Sequence, residues 1–200
     1  MSKTLIITAN PRPTSAVSLL AQEFIKEIKK LSDNLEEINI CQENLPSFSK
    51  FIVENDNYGK AKSRGDENLP TEILNMAKKW RNADNIAFFV PNWWGTGPAE
   101  LVDLFCWLSD EIAIFKSGKM PVKKMIGKKV LWINAGAAPF LPRKLFFKTD
   151  PEKWGKYIFS FSGAKFYSKF FDNVHMGLGE ISENMKVEIG KLVKKFSNYS

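Results

Sequence analysis

The chain has 200 residues, 29 Lys+Arg against 22 Asp+Glu, a formal charge of +7 and a hydrophobic fraction of 44%. That balance supplies enough apolar surface for a folded core and excludes a disordered chain. No run approaches the roughly 20 apolar residues of a membrane span. The Met1-Ser2-Lys3 opening leads into an apolar run without a cleavage-site pattern, so no signal peptide is read. Cys41 and Cys106 stand far apart with no CxxC pair, and His175 is the one histidine. A disulfide scaffold, a zinc site and histidine-based triads are therefore unsupported, no metal is expected, and a reduced, cytoplasmic setting fits.

Leu5-Ile6-Ile7, within Thr4–Thr8, is a continuous apolar run of the kind that forms a strand covered on both faces. After the proline-rich stretch 10–14 a helical period begins, with Val17, Leu20, Ala21, Phe24, Ile25, Ile28 and Leu31 on one stripe. Residues 35–40 read as a second strand. Residues 41–70 are polar and irregular, a long loop with a helical turn near 48–53. Thr71–Asn82 is the next helix, with Thr71 near its cap. Residues 86–90 form another fully apolar strand, 91–97 a turn, and Pro98 suits the first turn of a helix that presents Leu101, Leu104, Phe105 and Leu108. Residues 116–127 are a basic connector and 130–133 a further apolar strand. A helix over 151–162, a strand over 165–174 and a helix over 181–196 close the chain.

Strand and helix alternate five times. Buried strands in that order imply a parallel sheet with helices on both faces, and five units fit a doubly wound flavodoxin-like α/β sandwich of three layers rather than a barrel. The expected five-stranded order is 2-1-3-4-5, in a single domain over residues 1–200. The charge is uneven. Residues 1–110 hold 12 basic and 15 acidic side chains, whereas residues 111–200 hold 17 and 7, a balance of +10. Such a surface attracts nucleic acid, anionic membrane or phosphorylated small molecules, or simply solvates the fold.

In an open parallel sheet, ligands bind beyond the carboxyl ends of the strands. Three loops leave those ends. The first, Ala9-Asn10-Pro11-Arg12-Pro13-Thr14-Ser15-Ala16-Val17-Ser18, has no glycine and is neither a Walker loop nor a dinucleotide fingerprint. It offers the hydroxyls of Thr14, Ser15 and Ser18, the Arg12 cation and helix N-terminal amides, the parts of a terminal-phosphate site or of an ordinary helix cap. The second, Pro91-Asn92-Trp93-Trp94-Gly95-Thr96-Gly97, sets two indoles beside glycines, a platform for a planar ring or an anchor at an interface. The third, Asn134-Ala135-Gly136-Ala137-Ala138-Pro139, is built of small residues whose amides could stabilise negative charge on a ring edge, or form a plain turn.

Together these loops resemble the flavodoxin-like NAD(P)H:quinone oxidoreductases, with the related azoreductases and flavin-dependent NAD(P)H oxidoreductases. Pro91-x-x-Trp94 followed by Pro98-Ala99-x-Leu101 is similar to that family's segment after the third strand, and Gly127-Lys128-Lys129-Val130 leading to Asn134-Ala135-Gly136 is similar to its later strand and loop. The resemblance implies that Asn10, Arg12, Thr14, Ser15, Ala16 and Val17 hold a flavin phosphate and ribityl chain. Pro91, Asn92, Trp93, Trp94 and Gly95 would meet the isoalloxazine ring, and Asn134, Ala135, Gly136 and Ala137 its pyrimidine edge. FMN is favoured, with FAD possible, because no adenine-binding extension is visible. NAD(P)H would be the co-substrate. The quinone-reductase branch carries a Tyr and a His after the last loop; here Phe140-Leu141-Pro142-Arg143-Lys144 has neither. Arg143 and Lys144 are the cations best placed for a pyridine-nucleotide phosphate. The resemblance also implies a homodimer, to which Phe105, Trp107 or Phe115 would contribute.

The expected function is hydride transfer through the flavin to a small-molecule acceptor, a quinone, azo or nitro compound, with no catalytic side chain strictly required. One alternative is a one-electron flavodoxin carrier, which the +7 disfavours because such carriers are acidic. The other is a regulatory or nucleic-acid-binding module using the basic C-terminal part, where Lys165-Phe166-Tyr167-Ser168-Lys169-Phe170-Phe171 has a suitable composition. Neither nucleic acid nor membrane is an expected partner.

Overall fold

The computed structural model describes residues 2–54, 69–93, 95–136, 151–172, 174 and 180–197. In chain order the elements are β1 (Thr4–Thr8), α1 (Ala16–Lys29), β2 (Leu35–Asn39), α2 (Phe48–Glu54), α3 (Thr71–Asn82), β3 (Asn85–Pro91), α4 (Ala99–Trp107), α5 (Ser109–Ile112), β4 (Ala113–Ile114), β5 (Val122–Lys123), β6 (Lys129–Ala135), α6 (Pro151–Phe159), β7 (Lys165–Phe171) and α7 (Glu183–Ser197). Strands β2-β1-β3-β6-β7 form one sheet, with every neighbouring pair parallel. Counting only these five, the order is the expected 2-1-3-4-5. The fold is an α/β flavodoxin-like one.

The period-2 alternation of each strand divides the core. On one face Leu5, Ile7, Ile86, Phe88, Val90, Val130 and Trp132 pack with Met76, Ala77 and Trp80 of α3, Leu101, Leu104 and Phe105 of α4, and Phe159 of α6. On the other, Ile6, Ala87, Phe89, Leu131 and Ile133 meet Val17, Leu20, Ala21, Phe24 and Ile28 of α1 and Ile189, Val193 and Phe196 of α7. β3 is buried along its whole length. This double coverage explains why its sequence is a continuous apolar run rather than an alternating one.

Much of the aromatic content sits in the first of these layers. Trp132 lies 5.2 Å from Phe88 and 5.7 Å, edge-on, from Trp154, ring centre to ring centre. Phe105 packs on Trp132, Trp154 and Phe159. Trp107 is buried too, meeting Phe48 at 5.0 Å and Phe51 at 4.8 Å while its Nε1 donates to the Pro46 carbonyl at 2.8 Å. Phe105 and Trp107 are thus core residues of the chain itself and are not available to a partner subunit. The same indole also explains why residues 48–54 fold as a helix within the expected loop.

Other departures have local causes. α1 ends at Lys29, so Leu31 leaves the helical stripe and is 57% exposed. The expected connector 116–127 contains half of an antiparallel ribbon, Ala113 opposite Lys123 and Ile114 opposite Val122. The last strand stops at Phe171 rather than 174. Lys128 closes α3: its ammonium donates to the Arg81 carbonyl at 2.8 Å and also to that of Ala83. Those are C-terminal carbonyls that the helix leaves unpaired, and the cation also complements the dipole.

Two outcomes follow from this packing. A Cβ on Gly155 would lie 2.6 Å from Cδ2 of the buried Trp132. Gly155→Ala, though favourable by about 1 kcal/mol for an exposed helix, is expected to lower Tm, because overpacking a core costs about 1–3 kcal/mol; thermal unfolding checks it. Cys41 is half-buried against the first core layer, and burial, with the nearby Glu100 carboxylate, pushes its thiol up to about 11. In a Cys106→Ser background, alkylation of Cys41 at pH 8 should run about a hundredfold slower than that of an ordinary thiol, because only the thiolate reacts.

Candidate functional site

The carboxyl ends of β1, β3 and β6 finish at one edge of the sheet, and the three loops meet there around a cleft. Asn10, Arg12, Thr14, Ser15, Ala16, Val17, Pro91, Asn92, Trp93, Ala135, Gly136 and Val174 line it, enclosing about 180 Å³. Among the described residues no carboxylate, imidazole or thiol lines the cleft. Its chemistry is that of donors, one cation and an indole.

The first loop is held by its own side chains. Asn10 Oδ1 accepts from the Arg12 amide at 2.9 Å, the Arg12 carbonyl accepts from Ser18 Oγ at 2.8 Å and the Ser15 amide at 3.2 Å, and Ser15 Oγ caps α1 by accepting from the Ser18 amide at 3.2 Å. Ser18 is buried and committed to this network, and Ser15 Oγ donates to Ser18 Oγ at 2.9 Å, so of the three hydroxyls it is that of Thr14 that is left at the cleft. Ala16 and Val17 occupy the first two helical positions, whose amides have no intrahelical acceptor. α1 carries no acidic residue in its first turn, and Arg12 is exposed beside it. Free amides, the positive end of a helix and a guanidinium suit an oxyanion of a terminal phosphate.

The second loop is a tight reversal. The Trp93 and Thr96 backbones exchange two hydrogen bonds of 3.0 Å, and Gly95 between them takes φ 84°. Its amide donates to Asn92 Oδ1 at 3.0 Å. Gly95 therefore serves the turn and does not line the cleft, while Trp93, 39% exposed, does. The third loop is tied to the sheet edge: the Gly136 amide donates to the Phe171 carbonyl at 3.1 Å, and the Val174 amide to the Gly136 carbonyl at 3.3 Å. The Gly136 N–H is therefore engaged by the protein, and its Cα surface faces the cleft. A Cβ there would stand 3.0 Å from the Phe170 ring and 3.6 Å from Asn92. Asn134 is buried, donates from Nδ2 to the Val90 carbonyl at 3.0 Å and joins the strand ends beneath the cleft rather than lining it. Its Oδ1 has no partner among the described residues.

Trp94, Ala137, Arg143, Lys144 and His175 lie outside the described residues. Two residues that the sequence reading passed over contribute. Val174 closes one side of the cleft, and Asn39, at the end of β2, donates from Nδ2 to the Asn10 carbonyl at 3.0 Å. An asparagine at the end of a strand adjoining β1 was the available signal. Among the described residues a larger groove of about 410 Å³ lies against α3 and the opposite ends of β1 and β2. Its charges neutralise one another: Glu36 bridges Lys3 at 2.7 Å and Lys79 at 3.2 Å. Burial raises the Glu36 pKa, but hydrogen bonds from the two lysines outweigh this and hold the carboxyl below its usual value. The cleft, by contrast, keeps unpaired donors.

Comparison with known proteins points the same way. A 151-residue stretch is 26% identical to FMN-dependent NADH:quinone oxidoreductase 1 of Bacillus cereus, covering 70% of this chain and 71% of that protein. An FMN-dependent NADH-azoreductase from Bacillus anthracis, solved in complex with FMN, superposes with a TM-score of 0.78 at 19% identity, over 98% of this chain and 100% of that one. An NAD(P)H:quinone oxidoreductase from Methanothermobacter marburgensis gives 0.74 at 14% identity, over 100% and 98%. The model of the flavodoxin-like fold family matches residues 2–192, so the sheet order, the loop-edge cleft and the sequence agree that this chain belongs to that family.

Proposed function

We propose that the chain is an FMN-dependent NAD(P)H oxidoreductase acting on a quinone, azo or nitro acceptor, its single domain built around the flavin. The observation that carries this reading is the conjunction of the N-terminal amides of α1, Arg12 and the Trp93 face around one cleft with no acid–base side chain among its described residues. The described residues fit FMN. Thr14, Arg12 and the amides of residues 16 and 17 match the phosphate, with Ser15 holding the loop that presents them. Trp93 and the Pro91-Asn92 turn match the ring, and Ala135 and Gly136 match its edge. When bound, FMN supplies the hydride relay between the nicotinamide and the acceptor.

The chain's own work is to bind and orient. Prior organisation of the phosphate loop by Asn10, Ser15 and Ser18 means that little backbone freedom is lost on binding. The indole face excludes water on one side of the ring. A hydrolytic role has no support in a cleft whose described lining lacks a general base to activate a hydroxyl or a water. The proposal extends to Arg143 and Lys144 as contacts of the nucleotide co-substrate, and to a homodimer. Among the described residues no helix is long and apolar enough to cross a membrane.

FMN titration followed by flavin fluorescence tests the reading. Tight FMN binding, anaerobic bleaching by NADH or NADPH and rapid turnover with a quinone are expected. Failure to bind FMN overturns the proposal, and binding without turnover leaves a carrier. Arg12→Ala is expected to weaken FMN about tenfold to a hundredfold, the scale of a charged hydrogen bond, while leaving riboflavin, which lacks the phosphate, unchanged. Trp93→Ala should weaken both ligands alike.

A further inference from the structure

A second, chemically different pocket lies on the face of the sheet that α1 and α7 cover, opposite the layer built with α3, α4 and α6. Leu131 of β6, Tyr167 and Ser168 of β7, and Leu192, Lys195 and Phe196 of α7 line it, enclosing about 230 Å³. Its floor is apolar. Leu131 and Phe196 are buried, and Leu192 and Tyr167 pack half-buried against the second core layer. Leu131 and Tyr167 are paired across β6 and β7 and so point to the same face. The helical period brings Leu192, Lys195 and Phe196 to that floor together.

The rim is cationic. Lys195 holds its ammonium 5.4 Å from the centre of the Tyr167 ring, and Lys165, two residues earlier on the same face of β7, holds its own at 5.7 Å. Both lysines are exposed, and neither has an ion-pair partner among the described residues. Glu188, one turn of α7 before Leu192, is already taken by Lys169 at 3.1 Å and Lys191 at 2.8 Å. The carbonyl end of α7 is met as well, since Lys129 donates to the Phe196 carbonyl at 3.3 Å. The negative pole of the helix is therefore partly neutralised, and the two ammonium groups over Tyr167 are left without an anion. The groove against α3 differs, because Lys3 and Lys79 there already share Glu36.

We propose that this pocket binds a small monocarboxylate with an apolar body, its carboxylate meeting Lys165 and Lys195 and its body resting on Leu131, Leu192 and Phe196. The space equals roughly eight water molecules at about 30 Å³ each, the size of one aromatic ring bearing a carboxylate. An inorganic anion would meet the lysines but gain nothing from the apolar floor, and a neutral apolar molecule would leave the cations unanswered. Tyr167 keeps both ammonium groups over its ring, so less side-chain freedom is lost when the anion arrives. The aromatic-basic composition of β7 is thereby a pocket wall rather than a stacking platform: Phe166 and Phe171 turn into the two core layers, and the Tyr167 ring carries its lysines. Tyr167 stands four residues before Phe171, whose carbonyl ties the third loop of the cleft, about 13 Å along an extended strand. The pocket and the cleft are therefore separate sites, and nothing in this inference rests on the cofactor reading.

Ligand-observed NMR titration of the full chain with benzoate, in the presence and absence of FMN, tests this. Saturable binding is expected, unaffected by FMN and about tenfold tighter than that of benzamide, which lacks the charge, or of acetate, which lacks the ring. Lys165→Gln with Lys195→Gln should weaken benzoate about tenfold and leave FMN affinity unchanged. Ser168→Trp, at an exposed position of the pocket, should block benzoate at unchanged charge. No saturable binding, equal binding of benzamide or acetate, or insensitivity to either variant overturns the proposal. So does displacement of benzoate by FMN, which would assign it to the cleft. FMN titration reads the cofactor proposal separately, since none of these residues lines the cleft.

Discussion

The arrangement of this molecule depends on parallel pairing through the middle of the sheet. Thr8 pairs with Phe89, Phe89 with Ile133, Pro91 with Ala135 and Ala135 with Phe171, so the four strands end within a residue or two of one another. Parallel strands cannot be joined by hairpins, and each connection returns through a helix packed on a face of the sheet. Both faces of the inner strands β1, β3 and β6 are consequently closed, and these strands carry mostly apolar side chains. Chemistry is displaced to the loops, and the shared direction of the strands delivers three of those loops to one place. The cleft is a consequence of pairing before it is a consequence of any single residue.

The loops then differ in how much hydrogen-bonding capacity they retain. The second and third are closed on themselves or on the sheet: Gly95 to Asn92, Trp93 to Thr96, Gly136 to Phe171. They contribute shape and an indole face. In the first, side chains satisfy the loop backbone around Arg12 while the opening amides of α1 stay free. A loop made rigid by its own side chains keeps its remaining donors aimed without a ligand, which lowers the entropy lost when one arrives. The absence of glycine from 9–18 is consistent with this, because Asn10, Ser15 and Ser18 do by hydrogen bonding what glycine-rich phosphate loops do by backbone conformation.

The alternation of strand and helix and both core layers were legible because they rest on local periodicity: Leu5-Ile6-Ile7, residues 86–90 and 130–133 are apolar on both faces, and helix α1 repeats its stripe from Val17 to Ile28; the sheet order and the edge that holds the cleft followed from the fold class which that alternation fits. What sequence periodicity could not supply were contacts between distant segments. Trp107 looks like a surface anchor until Pro46, Phe48 and Phe51 are brought to it. Gly95 and Gly136 look alike as small residues, yet one is required by a positive φ and the other by the crowding of Phe170 and Asn92. The ribbon at 113–123 has strands of two residues, too short to show alternation. Leu31 was misread because a stripe does not announce where the helix stops.

Net charge illustrates the same limit from another side. The half of the chain that contains the first two loops is slightly acidic, although its cleft is built for an anion. The local field there comes from the N-terminus of α1 and from Arg12, and a helix terminus acts within its first turn. Four lysines of the basic C-terminal part, Lys116, Lys119, Lys123 and Lys124, lie exposed instead on or beside the ribbon. Separated by about the length of a strand, the two regions are roughly two Debye lengths apart at physiological salt. Lysines of the ribbon therefore contribute little potential at the cleft, and changes to either region leave the other's electrostatics nearly intact. A formal charge of +7 therefore says little about the cleft, whose affinity for an anion is set by backbone amides, which carry no formal charge, and by one guanidinium among the described residues.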